Sequence, residues 1–172
     1  MSSVSLHAAS APTFLQYLNN LTHWLDKAQA HAAAKSFDAE TLLAARLAPD
    51  MLPLSGQMAL ATAFAKNAMC RLAQRDPPDF PDVEKTIADH RARIARAIAI
   101  VESVAPTELE GAGARTLVVR MGPDVTATMN GQDYLFRFAL PNFWFHTTAA
   151  YAILRHNGVD LGKRDFMTGA GA

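Results

Sequence analysis

The sequence predicts an all-α fold, an antiparallel four-helix bundle with a short β-hairpin inserted before the last helix. Three observations carry that expectation. Four long stretches repeat apolar residues at three- and four-residue spacing, the period of a helix with one buried face. Alanine occurs 33 times against nine glycines and nine prolines, a helical bias. Only the runs near residues 116–129 are short, β-prone and joined by a Gly122-Pro123-Asp124 turn. The 172 residues suit a single domain covering the whole chain. No period of roughly 20–50 residues repeats, which excludes a solenoid.

The first helix is expected from Pro12 to His31, with Phe14, Leu18, Leu21 and Leu25 as its stripe and His23 and His31 opposite. Ser10 is its expected N-cap, since Pro12 is tolerated in a first turn. A short helix within 38–46 turns Leu42 and Leu43 inward. The second long helix runs from Pro53 to Arg75, where Asp76-Pro77-Pro78 stops it. The third runs from Asp82 to Ser103 on Val83, Ile87, Ile94, Ile98 and Val101, with Arg91, Arg93 and Arg96 flanking or opposing that stripe. Asn130 then caps the last and longest helix, Gly131 to Asn157, with Gly158 in its left-handed C-terminal position. Pro141 lies inside it and denies the Arg137 carbonyl its donor, so a kink is expected near 137–141. Residues 161–166 form a short docked tail, and those after Met167 are expected to be loose.

Sixteen basic residues balance sixteen acidic ones, so charge alone supplies no argument for nucleic acid or anionic membrane as partner. The most apolar stretch, Tyr134 to Leu154, is interrupted by Arg137, Asn142 and His146 and reads as a buried helix rather than a membrane span. A lone cysteine, Cys70, and no Lys or Arg before Lys27 point to a reducing, cytoplasmic setting without a secretory signal. Cys70 itself reads as a small buried hydrophobe.

Two polar residues sit where apolar ones are expected. Gln57 occupies the middle of the second helix's apolar face with Ala61, Phe64 and Ala68. His146 lies near the centre of the last helix's stripe, beside Asn142, Ala139, Ala149 and Ala150. Buried side chains of this kind must satisfy one another, hold water or meet a ligand, because an unpaired group costs about 1–3 kcal/mol. His90 stands at the edge of its stripe and reads as a helix-boundary residue. Arg46 and Asp50 read as a structural ion pair. Nothing assembles a nucleophile around Ser55, and no phosphate loop, cysteine pair or acidic metal cluster is present.

Five segments together resemble a known family: Arg46–Met51, Gly131–Leu135, Leu140–His146, Ala150–Gly158 and Leu161–Phe166. The chain resembles, over essentially its whole length, the domain-of-unknown-function family numbered nineteen-ninety-three, within the DinB/YfiT-like superfamily. That resemblance implies the DinB-like bundle. Enzymes of the superfamily include metal-dependent transferases of low-molecular-weight thiols and a thiol-dependent isomerase. Their divalent metal is held by one histidine on the second long helix and a His-x-x-x-His pair on the last. The corresponding positions here are Gln57, Asn142 and His146, so His146 alone keeps the imidazole. Amide oxygens are weaker ligands, so no firmly held cofactor is implied and any nickel or zinc would bind weakly. Three function classes stay open at this level: a small-molecule binder using Gln57, Asn142 and His146, a metal-dependent transferase with a degenerate site, and a structural dimer. A homodimer is expected in any of them, with Phe143, Trp144, Phe145 and the tail ending at Phe166 as candidate contacts.

Overall fold

Ser5 opens the first helix, its hydroxyl accepting from the Ala8 amide, and α1 then runs Leu6–Lys35. The computed structural model describes residues 4–122 and 124–168. The cap is therefore not Ser10, which is buried and donates to the Leu6 carbonyl at 2.6 Å. Pro12 lies within α1, not in its first turn. A 3₁₀ turn at Ala39–Ala44 places Leu42 and Leu43 in the core, and α2 follows at Leu54–Leu72. The third helix, α3, is Ile87–Glu102 and starts later than its apolar pattern suggests. Thr86 and Asp89 form a reciprocal capping box there, and a cap decides a helix start more strongly than one stripe residue. Val83 is accordingly 65% exposed and outside the helix.

Two 3₁₀ turns, Pro106–Leu109 and Ala112–Ala114, lead into the hairpin of β1 (Thr116–Arg120) and β2 (Thr126–Asn130). The strands pair antiparallel from Thr116↔Asn130 to Arg120↔Thr126, and Val119 is the hairpin residue that reaches the core. Asn130 accepts from the Asp133 amide and caps the last long helix, α4. Gly131 is required at this junction, because a Cβ there would lie 2.0 Å from the Ala112 carbonyl oxygen.

Helix α4 has three parts: an opening turn Gly131–Asp133, a π-helical stretch Tyr134–Ala139, and the α-helix Leu140–His156. The irregularity expected at Pro141 is thus a π segment immediately before it, where the Leu140 amide reaches back to the Leu135 carbonyl. A proline that cannot donate to its i−4 carbonyl is well placed after such a widened turn. Gly158, at φ +88°, ends the helix as expected. A short helix, α5 (Lys163–Thr168), closes the described chain, so the tail is ordered to Thr168. The expectation of looseness otherwise falls on residues 169–172, outside those described.

Helix directions follow from the side chains that meet. Arg71 reaches Tyr134 while Gln57 reaches His146, so α2 and α4 are antiparallel. His7 reaches Val104 while Asp26 pairs with Arg91, so α1 and α3 are antiparallel as well. Arg93 meets Thr62 and Arg75 meets Ser103, which makes α2 and α3 parallel and explains the long crossover between them. No helix among the described residues is long and apolar enough to cross a membrane.

The aromatic run of α4 divides. Phe143 is fully buried against Phe14, Trp144 packs edge-on to Tyr17, and Phe145 alone is exposed, at 58%. Phe166 is not a free surface residue either; it stacks on Trp24 and meets Tyr151. Asp165 fastens this tail, accepting from Lys27 at 2.6 Å and from the Gly162 amide at 2.8 Å. The expected Arg46–Asp50 pair is absent among the described residues; Arg46 donates instead to the Met51 carbonyl, which its own loop brings within reach.

Candidate functional site

Because α2 and α4 are antiparallel neighbours, the two polar residues in their apolar stripes meet. Gln57 is 1% exposed and His146 8% exposed, and His146 Nδ1 lies 2.8 Å from Gln57 Oε1. The amide's other end fixes its orientation: Gln57 Nε2 donates to the Leu52 carbonyl at 3.1 Å. Oε1 must then accept, so Nδ1 of His146 carries the proton and donates. Nε2 is left with its lone pair and makes no hydrogen bond within the described chain. Burial lowers the His146 pKa below the ordinary histidine value, which favours this neutral, single-tautomer ring. A neutral imidazole held in one tautomer can accept a proton or hydrogen bond, or donate to one metal, through Nε2.

One face of the His146 ring is covered by an aromatic side chain. Phe64 stacks on the imidazole with centroids 5.6 Å apart and planes 14° apart. Phe64 shares the Gln57 face of α2, so the stripe that presents the amide also presents the ring that covers the histidine. Asn142 is not part of the Gln57–His146 pair. Its Nδ2 donates to the Phe138 carbonyl at 2.7 Å, the last turn of the π segment, because a short amide on a helix easily bonds one turn back. The Arg137 side chain points away from this region and pairs with Asp133 at the surface. Asn142 does line an open cleft of about 520 Å³ between α2 and α4, with Asn67, Arg71 and Phe64.

The donors do not fit the three-ligand metal centre implied by the resemblance. Gln57 Oε1 is engaged by the imidazole N–H, which leaves His146 Nε2 and the Asn142 amide oxygen, both neutral. A divalent ion prefers anionic or imidazole donors converging on one point. No group of three His, Cys, Asp or Glu among the described residues is placed to hold a metal.

A second polar cluster was not foreseen. His90 does lie at a helix boundary, in the first turn of α3, but is 2% exposed, and Arg93 is 3% exposed rather than flanking its stripe. Arg93 donates to Glu84 at 2.9 Å and to Thr62 at 2.9 Å, and also pairs with Asp82 at 3.1 Å. The crossover 73–86 folds over α3 and converts an expected surface arginine into a buried anchor. The available signal was the i, i+3 spacing of His90 and Arg93, which places both on one helix face.

A family model described as "Domain of unknown function (DUF1993)" matches residues 6–167. Among solved structures, a DinB family member protein from Shewanella denitrificans superposes with a TM-score of 0.88 at 34% identity, covering 94% of this chain and 91% of that one. No curated protein matches the chain.

Proposed function

We propose that this chain, which belongs to the DUF1993 family and shares its fold with a DinB family member, binds a small organic molecule between α2 and α4. The observation that supports this reading is the Gln57–His146 pair, which presents an imidazole in one tautomer with Nε2 uncommitted. Asn142, on the wall of the adjoining cleft, supplies a second polar contact, and Phe64, which stacks on the imidazole, lines the same cleft. The donor set favours hydrogen bonding to the ligand over metal-centred transfer chemistry.

Native mass spectrometry of protein purified from its own host tests the proposal. A small-molecule adduct is expected on the parent, lost on denaturation, and depleted in Asn142→Leu and His146→Phe. An adduct-free parent, or an adduct indifferent to both substitutions, refutes it.

We also propose that the chain pairs with a second copy in the cytoplasm. Exposed Phe145 stands beside a shallow apolar groove containing Leu47, Met51, Thr148 and Ala152. A protruding ring next to small residues on one face is self-complementary under a two-fold axis.

A further inference from the structure

We infer, building on the small-molecule reading of the cleft between α2 and α4, that its ligand is a small carboxylate with an apolar body, held through Arg71. Among the described residues that line this cleft none is acidic, while two are arginines, Arg71 on α2 and Arg120 at the end of β1. Asp133 on α4 is already paired with Arg137, and Asp124 in the hairpin turn is exposed and outside the lining. A concave surface lined by charge of one sign attracts ligands of the other.

Arg71 is held in place by one contact. Its Nη1 donates to the Tyr134 hydroxyl at 3.5 Å, and the buried Tyr134 ring stacks on Phe138 with centroids 6.0 Å apart. The guanidinium is thus anchored beside a ring that itself lines the cleft. It makes no ion pair and no other hydrogen bond among the described residues. Nε and Nη2, which share one edge of the planar fork, are therefore uncommitted, and that edge matches the two oxygens of a carboxylate. Asn67, one turn earlier on the same face of α2, adds an amide donor to the lining. Phe64 and Phe138 meet edge to face, 5.8 Å apart, and with Leu60 and Met121 they give the apolar body its wall. Arg120, whose Nε donates to the Gly122 carbonyl at 3.1 Å, brings the second positive charge to the hairpin side.

An NMR titration that follows the Asn67 side-chain amide tests this, with 3-phenylpropanoate as probe and 3-phenylpropanamide as its neutral counterpart of equal size. The carboxylate should shift that resonance saturably with a Kd on the order of 1 mM, in keeping with so small a ligand, and the amide should bind roughly tenfold more weakly. Added salt should weaken the carboxylate alone. Arg71→Gln should cost the carboxylate about tenfold and leave the amide unchanged, a charge-selective loss that a merely structural role would not produce. Should that variant fail to fold, the comparison on the parent decides. Equal binding of the two probes leaves the cleft a small-molecule site but overturns its preference for an anion, and so does a loss in Arg71→Gln that both probes share. An Asn67 resonance unmoved by either probe up to its solubility limit also overturns the inference, while the adduct carried by the native protein decides the small-molecule reading separately.

Discussion

Replacing Gln57 with methionine tests the arrangement around His146 directly. The substitution keeps the length and approximate volume of the side chain and removes both ends of its amide. At one end the Leu52 carbonyl loses its donor, but Leu52 is 44% exposed and water can take that place. At the other end the Nδ1–H of a residue only 8% exposed loses its acceptor, with Phe64 stacked on the ring and no alternative partner nearby. A buried donor left unpaired costs about 1–3 kcal/mol, offset in part by the greater apolarity of methionine. A central loss of about 2 kcal/mol lowers the melting temperature of a domain this size by roughly 4–8 °C. Urea unfolding gives the free energy, and ¹⁵N spectra of the imidazole report the proton's position. The parent should show Nδ1 protonated, and Gln57→Met should show a mixture of tautomers. A variant within about 0.5 kcal/mol of the parent, or a parent ring protonated on Nε2, would refute the reasoning.

Three further outcomes are expected. Burial alone would raise the Asp165 pKa, but hydrogen bonds from Lys27, Gly162 and His23 outweigh it and hold the carboxyl at about 2. A depressed pKa gives stability that is complete above about pH 4 and lost toward pH 2, so the parent should lose about 1–2 kcal/mol more than Asp165→Asn across that window; parallel curves in urea titrations would exclude this. Sedimentation at high micromolar concentration should show a dimer that Phe145→Asp dissociates, and an 18.6 kDa species throughout would count against pairing. The double variant Gln57→His/Asn142→His should bind nickel or zinc more tightly by calorimetry than the parent, and equal affinities would show that the alignment onto the superfamily's ligand positions is wrong.

The bundle was legible because α1, α2 and α4 each repeat apolar residues at helical spacing, broken on α2 and α4 by Gln57 and His146, and because Asn130 and Gly158 bracket the last helix. The misplaced boundaries share one cause. Periodicity extends a stripe as far as apolar residues happen to fall on it, whereas backbone capping ends the helix. Val83 continued the α3 stripe by spacing, yet the Thr86–Asp89 box closed the helix after it. At the other extreme, Pro12 suggested a start that the real cap, Ser5, placed six residues earlier, at Leu6. The meeting of Gln57 and His146 was readable for a related reason: an amide and an imidazole in the middle of facing stripes must be buried together. The same logic pointed to Asn142, but a side chain that can bond its own helix need not cross to another.

The Arg93 cluster was illegible because an arginine usually lies at the surface, and only the crossover's path shows otherwise. Its carbonyl partners Phe80 and Pro81 and its carboxylate partner Glu84 all come from that connection. Since α2 and α3 run parallel, a connection of this length is obligatory, and its carbonyls and acids must be accommodated somewhere along the bundle. Arg93 satisfies them on the α3 side of α2, while Gln57 serves the α4 side. Leu60 borders the clefts on both sides, so α2 is a common wall between two polar environments. Gly56 and Ala59 keep that wall thin near His90, and a Cβ on Gly56 would already stand 3.3 Å from Leu52. A bulky residue there would press Leu52 away from the carbonyl position that orients Gln57, so the two environments are mechanically joined through one turn of helix.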